Sequence, residues 1–219
     1  MEILEKKKTG TELYKDFDKL FGASMVEKGY KRVLNHFKAP EYFKRLTDSG
    51  LFATVINHTS RDYTGGINVD MSVGVAYDKA EKLLYELIKE LYVIPYTHKW
   101  PTTTQCGIYY LSADKSGLDC QQSLKTEKDV VPSVDSMINL VETVAEPFFS
   151  KFQTLDYYVE YLKTTAGIER DRIVPVVYYL MGQRDEAENY IQSRLNDTKH
   201  RGYIDIGDSV FLKNFHSLP

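Results

Sequence analysis

The chain has 219 residues, 42% hydrophobic and 27% charged, enough to bury a core without help from a metal or a disulfide. Its 28 Lys and Arg stand against 31 Asp and Glu, a net charge of −3, so the basic excess of a dedicated nucleic-acid binder is missing. No apolar run approaches the ~20 residues that span a bilayer, and the opening MEILEKKK lacks the charged-then-apolar order of a signal peptide; a cytoplasmic protein without a nucleic-acid or membrane partner is expected.

The first element reads as a helix over about 11–28. Leu13, Phe17, Leu20, Phe21 and Met25 form its apolar stripe, Thr9 or Thr11 caps it, and Gly29 ends it. A strand-rich block follows: Lys31–Phe37, a turn at Ala39-Pro40, a weaker strand Tyr42–Leu46, a turn at Ser49-Gly50, and Leu51–Thr59. After a polar turn from Ser60 to Gly66 comes the cleanest signal in the chain. Ile67, Val69, Met71, Val73 and Val75 alternate with Asn68, Asp70, Ser72, Gly74 and Ala76, the period of a strand in an antiparallel meander. Asp78–Tyr92 reads as a helix with Asp78 as its N-cap. Pro95–Thr104, which holds Trp100, reads as an irregular connection. Cys106–Leu111 and Leu118–Lys125 read as a hairpin about the turn Ala113–Gly117.

Beyond Pro132 the period is helical: about 134–144, stopped by Pro147, then 154–165, then about 169–182 with Pro175 near its first turn or at a break, then 184–196. Gly182 marks a tight turn between the last two, in the manner of a tetratricopeptide-type helical hairpin. Val210, Phe211, Leu212 and Phe215 predict a tail that docks back. Strands gathered before helices argue for an α+β fold, an antiparallel sheet packed by helices with a C-terminal helical subdomain. The expected division is an α+β domain over 1–150 and a helical extension over 151–219.

No GxSxG, HExxH, P-loop or GxGxxG motif is present, so no catalytic residue is assigned and no cofactor is expected. Cys106 and Cys120 sit in no CxxC or Cys/His cluster, and their places on the expected hairpin are not opposite, so neither a zinc site nor a disulfide is expected. His36, His98, His200 and His216 are scattered, and Arg170-Asp171-Arg172 reads as a solvated, self-paired turn.

Two features carry functional expectations. Asn57, His58, Asn68, Asp70 and Ser72 lie on neighbouring strands, and if His58 shares the face of Asp70 the two can form a His–Asp pair, a ligand site with a usable base. A solvent-facing sheet surface produces the same pattern without function. Tyrosine is the second feature: 17 Tyr, 10 Phe and 1 Trp make 13% of the chain. Tyr109-Tyr110 and Tyr157-Tyr158 are candidate partner-binding pairs, with Tyr178-Tyr179 a third pair in sequence. A tyrosine ring suits recognition surfaces and cores alike, and two neighbours on a helix point in different directions.

The order of Lys28-Gly29-Tyr30-Lys31, a strand bearing Phe37, the segment Thr54–Ser60, the strand Ile67–Val75 and then Glu146-Pro147-Phe148-Phe149 resembles the bacterial domain-of-unknown-function 4304 family. There a GFK-like turn leads to VxNxQxS-like and FxINxGV-like strands. The resemblance covers roughly residues 10–165, and His58-Thr59 departs from it where the family shows a Phe-Gln or similar pair. It implies a compact α+β fold and transfers no catalytic residues. Proteins of this look are similar to immunity proteins of bacterial toxin systems. The expected function is therefore a non-enzymatic protein-binding protein, of the immunity type by resemblance. The alternative is a small hydrolase or ligand-binding protein using the face around His58 and Asp70.

Overall fold

The computed structural model describes residues 8–34, 39–63, 65–91, 104–111, 120–164, 168–196 and 206–219. The fold is α+β, built on a six-stranded antiparallel sheet. Its strands are β1 (Lys31–Leu34), β2 (Pro40–Arg45), β3 (Leu51–Arg61), β4 (Ile67–Tyr77), β5 (Thr104–Gly107) and β6 (Gln121–Leu124). They are ordered β1-β2-β3-β4-β5, with β6 also paired to β4. The chain divides into two compact units, with boundaries inside β3, after Phe52, and inside β4, after Gly74.

The first unit is Met1–Lys44, Ala53–Gly74 and Gln105–Lys151. Its helix α1 (Gly10–Glu27) begins at Thr9, whose hydroxyl accepts from the Glu12 N–H while the Glu12 carboxylate accepts from the Thr9 N–H. This reciprocal pair satisfies two of the donors that every helix start leaves open. At the other end Gly29, at φ 86°, lets the Gly29 and Tyr30 N–H groups turn back onto the Val26 and Met25 carbonyls. α1 buries Leu13, Phe17, Phe21 and Met25. It packs against α3 (Val130–Leu140), which buries Val134, Met137 and Leu140.

The register shows which sheet face these helices cover. β6 pairs antiparallel with β4, Ile67 opposite Leu124 and Val69 opposite Gln122. Gln122 donates to the Ser136 hydroxyl of α3 at 3.1 Å. Opposed residues share a face, so the helices lie over Val69, Met71 and Val73, all of them 2% exposed or less. Two carboxylates tie the helices to the sheet edge. Asp18 of α1 accepts from Arg32 of β1 at 2.6 Å and from the Tyr42 hydroxyl of β2 at 2.8 Å. Glu146 accepts from the Tyr30 hydroxyl at 3.0 Å and from Lys44 of β2 at 2.8 Å. Burial and these acidic partners push both phenols above their ordinary pKa, so they stay protonated donors.

Pro147 does not stop the third helix. The chain passes through a π turn, Val141–Ala145, and continues as α4 (Glu146–Phe149). A proline ring clashes with the carbonyl four residues back and offers it no N–H. A wider turn, in which the Glu146 N–H reaches the Val141 carbonyl, absorbs that defect and aims the Glu146 side chain at Tyr30 and Lys44.

The second unit is Arg45–Phe52, Val75–Thr104 and Phe152–Pro219. It holds α2 (Asp78–Ile88), α5 (Leu155–Thr164), α6 (Ile168–Leu180), α7 (Arg184–Leu195) and α8 (Ile206–His216). α6 is its centre, packed by α2, α5 and α7, with Ile173, Val174, Val176 and Val177 fully buried. Burying each such side chain contributes ~1.5–3 kcal/mol. That packing holds Pro175 in the middle of α6, not at its first turn or at a break. Gly182, at φ 75°, makes the expected tight turn into α7. The tail docks as its apolar cluster predicts: Phe211 and Phe215 are buried, and Asn214 donates to the Leu87 carbonyl at the end of α2, 2.7 Å away.

Other expectations shift. Tyr77, not Asp78, is the N-cap of α2; Asp78 is its first residue and pairs with Lys82. Asp171 accepts from Arg194 and Tyr190 of α7 at 2.9 and 3.1 Å. β5 and β6 each pair with β4, and among the described residues they are not paired with each other as the arms of the expected hairpin. Its turn at 113–117, the end of the first strand at 35–37, and the connection around Trp100 lie outside the described residues.

The β3–β4 turn is held by a close approach. A Cβ on Gly66 would stand 2.6 Å from the Leu124 carbonyl of β6. Gly66→Ala is expected to lower stability by ~1–3 kcal/mol, the usual cost of overpacking, read as a lower denaturant midpoint at unchanged m-value.

Candidate functional site

β3 and β4 are not buried evenly along their length. Ala53, Thr54 and Val55 on β3, and Val73 through Tyr77 on β4, are all buried, so both faces are covered there. Towards the turn only one face is covered. His58 and Ser60 are exposed, and Asn68, Asp70 and Ser72 are half-buried. Strand alternation puts these five on the face away from α1 and α3, and β6 adds Gln121, opposite Asp70, and Ser123, opposite Asn68. The open face is thus a polar sheet surface three strands wide.

His58 shares the face of Asp70, as the sequence leaves open, but its contact is different. Its Nε2 lies 2.9 Å from the Ser72 hydroxyl. The Asp70 carboxylate has no hydrogen bond or ion pair among the described residues, so the His–Asp pair does not form. Asn57 departs from the expected group altogether. Being one residue from His58, it points to the helix-covered face, where it is 4% exposed and neither amide atom has a partner among the described residues.

The chain on the far edge of β4 is interrupted. It runs as β5, breaks into a 3-10 turn at Ile108–Tyr110, and resumes as β6 at Gln121. At the break lies an open cavity of about 460 Å³, lined by Asp70, Met71, Ser72, Gly107, Ile108, Tyr109, Cys120 and Gln121. Ile108 is buried and anchors the turn, leaving Tyr109 45% and Tyr110 74% exposed with their rings edge-on at 5.8 Å. Tyr109 is therefore both a wall of the cavity and part of an exposed aromatic pair.

The other tyrosine pair behaves differently. Tyr158 is fully buried in the second unit, in edge contact with Phe152, and cannot meet a partner. Tyr157 is 40% exposed, its ring edge-on to Phe152 at 5.2 Å. Helical geometry divides the pair into one core and one surface ring. The 3-10 turn at 108–110 leaves both of its rings outside.

Little in the site points to covalent chemistry. Neither Cys106 nor Cys120 is in a disulfide. Burial pushes the Cys106 thiol above its ordinary value, which disfavours the reactive thiolate. Among the described residues no group of His, Cys, Asp or Glu is placed to hold a metal ion, and no helix is long and apolar enough to cross a membrane. Sequence reasoning missed Gln121, Ser123 and Cys120 as members of this surface. Their only signal is the pairing of β6 with β4, which a local hairpin reading hides.

No family model, no curated protein and no solved structure matches this chain.

The orphan amide of Asn57 gives a direct test of its placement. A buried unpaired polar group costs ~1–3 kcal/mol, and an apolar replacement of similar size removes that cost. Asn57→Val is expected to raise stability by ~1 kcal/mol in denaturant melts, whereas His58→Ala on the open face is expected to change it by less than ~0.5 kcal/mol.

Proposed function

We propose that this is a non-enzymatic protein-binding protein whose recognition surface is the open sheet face around Asp70 and Ser72, with Tyr109 and Tyr110 on its rim. The observation that carries the reading is the exposed tyrosine pair beside a preformed cavity in a polar sheet face. Large rings with polar tips supply contact area at low entropic cost, and they are enriched at the energetic centres of interfaces. The immunity-type role is the specific form that the family resemblance implies, with a toxin domain as partner.

The alternative, a small hydrolase, draws on the contact of His58 with Ser72. A serine nucleophile needs a base that a third group orients. Asp70, the carboxylate on this face, makes no such contact among the described residues. The binding reading is therefore preferred.

The test is affinity capture with tagged full-length protein from its native extract, followed by measurement with the purified partner. A Tyr109→Ala/Tyr110→Ala variant is expected to bind at least tenfold more weakly while its melting midpoint stays within a degree or two, since both rings are exposed. Unchanged affinity in that variant would move the interface elsewhere.

A further inference from the structure

Within this recognition surface we infer that the cavity receives a partner's arginine side chain, with Asp70 as its counter-ion and the Tyr109 ring as its platform. The inference rests on the protein-binding reading and adds the chemistry of what is bound.

Charge comes first. Across His58 and Ser60 of β3, Asn68, Asp70 and Ser72 of β4, and Gln121 and Ser123 of β6, the one carboxylate is Asp70. The Asp70 carboxylate is half-buried and has neither a hydrogen bond nor an ion pair among the described residues. Several other acids of the same unit have such partners, whereas Glu27 and Asp135, which have none among the described residues, are exposed to solvent. Asp18 holds Arg32, Asp62 holds Lys125, Glu142 holds Lys28, and Glu146 holds Lys44. A half-buried carboxylate with no counter-ion among the described residues focuses negative potential into the cavity it lines, and selects a cation.

Shape and polarity narrow the cation. The cavity is also lined by Gln121, by Ser72, whose hydroxyl contacts His58, and by Tyr109. A guanidinium offers five donors in a plane, pairs with a carboxylate in a fork, and stacks on an aromatic ring. An ammonium offers a point charge and gains less from the ring. A volume of about 460 Å³ exceeds one side chain and leaves room for the adjoining backbone, as befits a residue presented by a polypeptide.

The experiment is selection of a random-peptide phage library on the immobilised full-length protein, repeated on the Asp70→Asn and Tyr109→Ala variants. Selected peptides are expected to carry arginine. A synthetic copy is expected to lose at least tenfold in affinity when the arginine becomes citrulline, which keeps the shape and removes the charge. It should lose a similar factor on Asp70→Asn, with the melting midpoint unchanged. Selected peptides without arginine, equal binding by Asp70→Asn, or no enrichment at all would overturn the inference. If peptides without arginine are selected and lost on Tyr109→Ala, the recognition surface stands and only the arginine fails.

Discussion

The first unit depends on a single constraint, the strict two-residue alternation of β4. Val69, Met71 and Val73 must leave water, and α1 and α3 cover them. Once that face is committed, Asn68, Asp70 and Ser72 have no choice of direction, because a one-residue slip would reverse every side chain. β6 adopts the same split, sending Gln122 and Leu124 towards the helices and Gln121 and Ser123 away. The polar surface is thus a by-product of core formation, and a cavity opens in it where the partner strand of β4 breaks.

The helices are located by hydrophobic stripes and then oriented by a few polar contacts. Asp18 ties α1 to β1 and β2, and Glu146 ties the end of the π turn to Tyr30 and Lys44. Each carboxylate receives two donors at once, so removing either acid strands a buried phenol. The Glu146 contacts also rationalise the π turn. Pro147 forces a widening, and the widened turn presents Glu146 to both donors.

Periodicity made much of this legible. The bounds of β4, the stripe of α1 (apart from Leu20, which is exposed) with its Gly29 stop, the Gly182 turn and the docking of Phe211 and Phe215 all follow from local pattern and turn chemistry. What pattern could not show is long-range. Cys106–Leu111 and Leu118–Lys125 look like two arms of a hairpin because they are near in sequence, yet the strands β5 and β6 at these places each pair with β4. Pro147 looks like a stop because local rules price a proline against an α turn, not a π turn. Asn57 looks like a partner of His58 because polar neighbours read as one cluster, whereas alternation separates them by the thickness of the sheet. Tyr109 and Tyr110 looked equivalent to Tyr157 and Tyr158; a 3-10 turn with a buried Ile108 exposes the first pair, and an amphipathic helix splits the second.

The measurement that bears most directly on the recognition surface is NMR shift mapping of the isotope-labelled full chain during titration with its captured partner. The largest backbone shifts should fall on Asp70–Ser72, Gly107–Tyr110 and Cys120–Gln121, with α5, α6 and α7 nearly still. Shifts concentrated on α5 around Tyr157, with the β4 edge unmoved, would contradict the account and place recognition in the helical unit.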